Sequence, residues 1–135
     1  MFAIRYTFKV YERLKREQHI DTLFRTGKAF SVFPVRFIYS TIPRTTDNSS
    51  PVRVGFSVPK KKFRSSVDRH RVRRLMAESW RLNKAALYPA IPEHLQLHLF
   101  LVFTSPKLPD YEPVKNAIVT GLGKLQAIFK EEQAG

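Results

Sequence analysis

The chain has 135 residues, no cysteine and a formal net charge of +13. The lack of cysteine excludes a disulfide framework and a thiolate metal site, and no apolar run reaches the ~20 residues that a membrane span needs. A hydrophobic content of 43% indicates a folded core, whereas the charge makes a polyanion the expected partner. We therefore expect one cytoplasmic, nucleic-acid-binding domain over residues 1–135, with its core at about residues 11–130.

The first predicted element is a helix at Arg13–Thr26. Ile20, Leu23 and Phe24 recur at helical spacing, and Gly27 follows as a stop signal. We expect this amphipathic helix to pack through its apolar side.

Strands are predicted next, at Ser31–Thr41 and Val52–Pro59, where β-branched and aromatic residues alternate with others. In the first strand, alternation places Phe37 and Tyr39 on one face and Ile38 on the opposite face. The two strands are separated by a polar loop.

The second half of the sequence predicts a helix, a strand and a helix. The central helix is expected to begin after Ser65, an N-cap residue, and to end at about Lys84–Ala86. The apolar run Leu97–Thr104 suits a strand that is covered on both faces. Val114–Glu132 shows helical spacing of apolar residues despite two glycines. The chain is therefore assigned to the α+β class.

Positive charge is concentrated in and before the central helix. Ten Lys and Arg residues lie between Lys60 and Lys84, against Asp68 and Glu78 as the acids. At about 100° per residue the helix has two arcs. The apolar arc, expected to face the sheet, comprises Val72, Leu75, Met76, Ser79 and Leu82. The basic arc comprises Arg69, His70, Arg73, Arg74, Arg81 and Lys84, with Arg71 at its border.

This basic arc favours nucleic-acid binding over a merely solvated surface. A solvated helix usually mixes acids with bases, and the planar fork of arginine binds phosphate oxygens bidentately. No short helix and tight turn precede the segment, as a helix-turn-helix requires, so RNA is favoured over DNA.

The central segment resembles the signature of the bacterial ribonuclease P protein family. It reads R-V-G-F-S-V-P-K-K-K-F-R-S-S-V-D-R-H-R-V-R-R-L-M-A-E-S-W, at Arg53–Trp80. The family pattern is a strand, a K-K pair, a short loop and an arginine-rich helix. The upstream R-L-K-R-E-Q-H-I-D-T-L-F-R-T-G is similar to the family's first helix, so the resemblance spans roughly Tyr11–Phe129.

The resemblance implies a fold and a function. The fold is an α/β sandwich with element order α-β-β-β-α-β-α and a left-handed βαβ crossover. The function is that of the protein subunit of ribonuclease P, an endonuclease that removes the 5′ leader of precursor tRNA. Catalysis belongs to the partner RNA, which uses Mg²⁺, so no catalytic residue, membrane or small-molecule substrate is expected for the protein.

The resemblance also implies site residues in this chain. The cations expected to contact the catalytic RNA are Lys60, Lys61, Arg69, His70, Arg71, Arg73, Arg74, Arg81 and Lys84. The candidates for a cleft that holds the leader are Phe24, Phe37 and Tyr39, although core packing is an equal alternative for Phe24 and Phe37. Three residues depart from the family pattern: His70 replaces Asn, Ala77 replaces Arg and Ile20 replaces Phe.

Intrinsic catalysis by the protein is not expected. The carboxylates are scattered, and no pair shares a helix face with a histidine. His94 and His98 have a spacing that zinc ligands use, but they straddle a loop and a strand. A binding module without a catalytic assembly, such as a ribosomal or DNA-binding protein, is the alternative from a different functional class.

Overall fold

Four strands form one mixed sheet in the computed structural model of the protein, which describes residues 23–44 and 50–134. The strands are β1 (Lys28–Val32), β2 (Val35–Pro43), β3 (Val52–Ser57) and β4 (Leu95–Phe103), in the spatial order β1-β2-β4-β3. β1 pairs antiparallel with β2, and β2 pairs antiparallel with β4, whereas β3 and β4 are parallel. β4 is therefore an interior strand, which explains its almost continuous apolar sequence.

Two long helices accompany the sheet. The central helix (Ser66–Asn83) connects the parallel strands β3 and β4, and the C-terminal helix (Tyr111–Ala134) follows β4. The Ser65 side chain accepts a hydrogen bond from the backbone N–H of Asp68 at 3.3 Å, which confirms the predicted N-cap. Two short 3₁₀ turns, Lys84–Ala86 and Tyr88–Ala90, lead from the central helix toward β4. The mixed sheet and its helices confirm the predicted α+β class.

The first predicted helix is described only at its end. Residues 23–26 are helical, and the rest of Arg13–Thr26, including Ile20, lies outside the described residues. No helix within 23–44 and 50–134 combines the length and apolar character that crossing a membrane requires.

The segment predicted as one strand, Ser31–Thr41, is instead the middle of a hairpin. The chain reverses at Phe33–Pro34, whose peptide bond is cis, so β1 and β2 lie on either side of this turn. Pro34 has no N–H for a strand ladder, and its carbonyl accepts the backbone N–H of Thr104 at 2.8 Å. The alternating pattern continues across the turn, which is why periodicity alone did not reveal it.

The main core lies on one face of the sheet, under both long helices. The central helix contributes Val72, Met76, Ser79 and Trp80 as buried residues. Leu82, which was assigned to the apolar arc, is exposed instead. It lies about 120° from Met76 around the helix, at the edge of the packed side, whereas Trp80 lies only about 40° away.

The C-terminal helix approaches the sheet closely at Gly121. A Cβ built there would overlap the Phe37 ring, with Cε2 at 2.5 Å and Cε1 at 2.6 Å. The Phe37 ring is fully buried and stacks on Phe30, with ring centroids 4.9 Å apart. This glycine therefore serves close packing between the helix and β2.

The opposite face of the sheet carries a smaller apolar cluster. Leu23, Ile38 and Phe100 are buried there, with Val102 packed beside them. The helical turn at residues 23–26 therefore lies on the face of the sheet that carries Ile38 and Phe100. We call it the open face, in the sense that neither long helix packs on it.

Candidate nucleic-acid interface

The loop after β3 and the first half of the central helix form one positively charged surface. We call it the basic surface, and it consists of exposed side chains: Lys60, Lys61, Lys62, Arg64, His70, Arg71, Arg73 and Arg74. The loop turns at Pro59, whose carbonyl accepts the Lys62 N–H at 3.0 Å. Phe63 anchors the loop, since its buried ring lies against Phe103 with centroids 6.0 Å apart. Both cationic segments are thus held by the core.

Arg69 has a role in holding this surface together. Its Nη1 donates to the carbonyl oxygens of Phe63 at 2.8 Å and Arg64 at 2.9 Å. These bonds tie the loop to the first turn of the helix, and the side chain is partly buried. The geometry therefore makes Arg69 a positioning residue, whose charge still adds to the field of the surface.

Glu78 is the acid at the edge of the basic surface. Arg71, Arg74, Leu75 and Glu78 line a shallow hollow of about 450 Å³. The hydrogen bond from Arg81 lowers the pKa of the Glu78 carboxyl below its usual value, and the charges of Arg81 and Arg74 act in the same direction. Arg81 is thus partly neutralised by its neighbour, one helical turn away, while Arg71 and Arg74 stay exposed.

Lys84 does not belong to the basic surface. Only 4% of it is exposed, and its Nζ lies 5.8 Å from the centroid of the Tyr88 ring. The chain enters a 3₁₀ turn at Lys84, so the helical arc that placed this residue beside Arg81 no longer applies. The predicted place of Lys84 on the exposed basic arc is therefore wrong, and its side chain packs below the helix.

Phe24 lies on the open face of the sheet. Half of it (50%) is exposed, and its ring meets Phe100 edge to face, with centroids 5.3 Å apart. Arg36, on the same face of β2, is exposed. An exposed aromatic ring and a cation beside a strand provide stacking and charge for an extended polyanion.

Phe37 and Tyr39 point to the other face. Phe37 has no exposed surface, and Tyr39 is half-buried against the same core, with its ring 5.9 Å from that of Phe30. The pleat of β2 therefore turns both side chains toward the two long helices and away from Phe24, so the structure does not bring the three cleft candidates together. The alternative of core packing holds for Phe37.

Phe100 and Arg36 were missed by the sequence reasoning. Phe100 is paired with Ile38 in the β2–β4 register, which places both on the open face. The alternation within β2 was the available signal for Arg36. No such signal existed in β4, since apolar residues occupy both faces of that strand.

His98 takes part in a buried polar network, not in a histidine pair. Its Nε2 lies 3.0 Å from Gln96 Oε1, and Gln96 Nε2 donates to the Ser50 carbonyl at 2.8 Å. His94 is exposed, outside β4. Within residues 23–44 and 50–134, no three histidine or carboxylate side chains come together as metal ligands.

Comparisons with known proteins agree with each other. The family model described as Ribonuclease P matches residues 8–126. A ribonuclease P protein component from Porphyromonas gingivalis is 39% identical over 113 residues, covering 82% of this chain and 80% of the relative. One from Chlorobium phaeobacteroides is 29% identical over 121 residues, covering 83% of each chain.

Solved structures show the same fold. The Staphylococcus aureus RNase P protein superposes with a TM-score of 0.64 at 18% identity, covering 87% of this chain and 98% of that one. The RNase P protein from Thermotoga maritima gives a TM-score of 0.63 at 19% identity, covering 84% and 96%. The arrangement of sheet and helices is therefore shared despite low identity.

Proposed function

The chain belongs to the ribonuclease P protein family and is thus a protein component of the endoribonuclease that acts in tRNA processing. From this premise we propose a separate RNA-binding role for each of its two surfaces. The basic surface binds the catalytic RNA. The open face of the sheet receives the single-stranded 5′ leader of precursor tRNA. Both RNAs are encountered in the cytoplasm.

The basic surface suits a folded RNA. Its exposed arginines lie on one rigid helix, so their guanidinium groups are presented at fixed spacing to backbone phosphates. Arg69 holds the lysine-rich loop against the helix, so the two cationic segments are presented as one unit. Pre-organisation of this kind lowers the entropy lost on binding.

The open face suits a single strand. Phe24 supplies exposed aromatic surface, held by edge-to-face contact with the buried Phe100 ring, and Arg36 supplies charge. Stacking on aromatic rings accepts any base, which fits leaders of varied sequence. The observation that carries the proposal is this separation: phosphate-binding cations on one element and stacking surface on the opposite face of the sheet.

Hydrolysis is assigned to the RNA partner with its Mg²⁺. The described part of the chain gathers no set of carboxylates that would hold the ion, so no step is assigned to a protein-bound metal. The contribution of the protein is to position RNA and to offset phosphate repulsion, which lets the complex form at lower Mg²⁺ concentrations.

The test is cleavage of precursor tRNA by its cognate ribonuclease P RNA at low Mg²⁺, with and without the protein. Leaders of decreasing length are compared. We expect strong stimulation that fades as the leader is shortened to one or two nucleotides. Arg74→Ala should weaken RNA association by about 1–3 kcal/mol at every leader length, because it removes a phosphate contact.

Phe24→Ala should behave differently, reducing stimulation only for substrates with long leaders. Phe24→Trp is the matched control, since it keeps an aromatic platform. Tight RNA binding without stimulation of cleavage would contradict the proposal and would favour a binding module without a catalytic assembly. Equal effects of Phe24→Ala on long and short leaders would remove the open face from leader binding.

A further inference from the structure

A groove at the β1–β2 turn has no role in the function proposed above. It has a volume of about 490 Å³ and lies between this turn, the loop after β4 and the start of the C-terminal helix. Phe33, at the tip of the turn, is 74% exposed, and Leu108 on the opposite loop is 46% exposed. Two large exposed apolar side chains thus flank one opening. We call this site the turn groove.

The walls of the turn groove combine apolar and hydrogen-bonding groups. Pro34 and Pro109 line it beside Phe33, and Asn116 and Thr120 line it from the helix. An amide side chain donates and accepts at once, and a hydroxyl can do either, so these groups match the edge of a nucleobase. The volume falls in the range of small-ligand sites and accommodates one nucleoside.

The turn groove is next to the basic surface. Phe103 lines the groove, and its ring lies 6.0 Å from that of Phe63, which anchors the lysine-rich loop. β3, which leads into that loop, ends at Ser57, paired with Val102. The cations of the loop and the turn groove are therefore at the same end of the sheet.

The charged residues around the turn groove suit the phosphate backbone of an RNA strand. Lys107 lines the groove, and its backbone N–H donates to Ser105 Oγ at 3.2 Å, which turns the loop. One acid, Asp110, lines the groove as well. The net charge of this region is positive because of the neighbouring loop, which exposes four cations and no carboxylate: Lys60, Lys61, Lys62 and Arg64.

We propose that the turn groove takes one unpaired base of an RNA strand whose phosphates continue onto the basic surface, with Phe33 as the stacking platform. The occupant is RNA, not an apolar peptide, because an exposed aromatic ring and base-edge donors and acceptors lie at the same end of the sheet as the cations of the basic surface. The inference rests on the proposed function only in that the protein must bind RNA. It adds a base-dependent contact to the basic surface, which otherwise binds phosphate groups.

The test compares two oligoribonucleotides with equal charge. One is a 12-mer of adenylate, and the other is a 12-mer of the same backbone with abasic sites. Phe33→Ala should lower affinity for the adenylate 12-mer about 5- to 150-fold, the range for loss of one stacked base, and should leave affinity for the abasic 12-mer unchanged. Val67→Ala is the matched control, since Val67 on the central helix is equally exposed at 74%.

A fluorescent variant gives a second readout. The single tryptophan, Trp80, is fully buried, so an indole introduced by Phe33→Trp is the exposed fluorophore. We expect its emission to be quenched by the adenylate 12-mer and not by the abasic one. Quenching by a proline-rich peptide with no response to either RNA would overturn the inference in favour of a protein partner.

The outcomes separate this inference from the proposed function. If wild-type protein binds the adenylate 12-mer and Phe33→Ala binds it equally well, the turn groove is not an RNA site, and the proposed function stands. Equal losses with both oligomers would show a phosphate effect and would also reject a base site. If wild type binds neither oligomer, the inference fails, whereas the proposed function is decided separately by the cleavage assay.

Discussion

Replacing Gly121 with alanine tests the packing between the C-terminal helix and the sheet. The added Cβ would overlap the Phe37 ring, which cannot move freely because it is fully buried and stacked on Phe30. Gly123 offers a matched control two residues away in the same helix. A Cβ at Gly123 has no heavy atom within 4 Å apart from its own helix backbone and chain neighbours.

The magnitude follows from two opposing terms. Alanine in place of glycine within a helix stabilises the fold by about 1 kcal/mol through backbone entropy, and this term is common to both positions. Overpacking of a filled core costs about 1–3 kcal/mol, and it applies only at Gly121. Gly123→Ala should therefore stabilise the protein, and Gly121→Ala should be less stable than Gly123→Ala by about 1–3 kcal/mol.

The assay is thermal and urea unfolding of both variants and wild type. For a domain of this size the difference corresponds to roughly 3–12 °C in Tm between the two variants. Phe37→Leu should reduce the cost of Gly121→Ala, since it removes the ring that the new methyl group meets. If Gly121→Ala melted at the temperature of Gly123→Ala in the wild-type background, the close approach of helix and ring would be refuted.

Two further variants test the assignments of charged residues. Lys84→Ala should lower the free energy of unfolding by about 1–3 kcal/mol and leave the salt dependence of RNA binding unchanged, because the side chain packs in the interior. A weaker dependence of RNA affinity on salt concentration, with unchanged stability, would show that Lys84 contacts the RNA. Glu78→Gln tests stability at acid pH. The pKa of the Glu78 carboxyl is lowered in the folded protein, so its ion pair with Arg81 stabilises the fold at pH values above the ordinary pKa of 4.5. This contribution is lost as the pH falls through the folded pKa. As the pH is lowered from neutral through this range, the melting temperature of Glu78→Gln should fall less steeply than that of wild type. The variant should also bind RNA more tightly at neutral pH, since an anion beside Arg74 is removed. A melt profile with the wild-type slope would mean that the pair with Arg81 contributes nothing to folding.

The arginine-rich helix was predictable because its signals are local. Its N-cap Ser65, its apolar spacing at Val72 and Met76, and its exposed cations Arg73 and Arg74 follow from neighbouring residues in the chain. Its limits were less predictable. Lys84 was misplaced since the helix gives way to a 3₁₀ turn there, and a helical arc is valid only while the helix continues.

The environment of the aromatic residues, in contrast, was not predictable from local signals. Alternation correctly put Phe37 and Tyr39 on one face of β2, but a period of two does not say which face the long helices cover. Only the packing of the central and C-terminal helices decided that this face is the core. The same packing left the other face for Phe24 and Phe100.

What the sequence determined by itself was the class of the molecule, its elements and its cationic helix, since composition, periodicity and capping act over a few residues. The tertiary structure decided which face of the sheet the two long helices cover, and it placed Phe33 and Leu108 on opposite sides of the turn groove. It also fixed Arg69 as the tie between loop and helix. These results depend on contacts between residues far apart in the chain, whose partners are chosen by side-chain packing and not by local spacing.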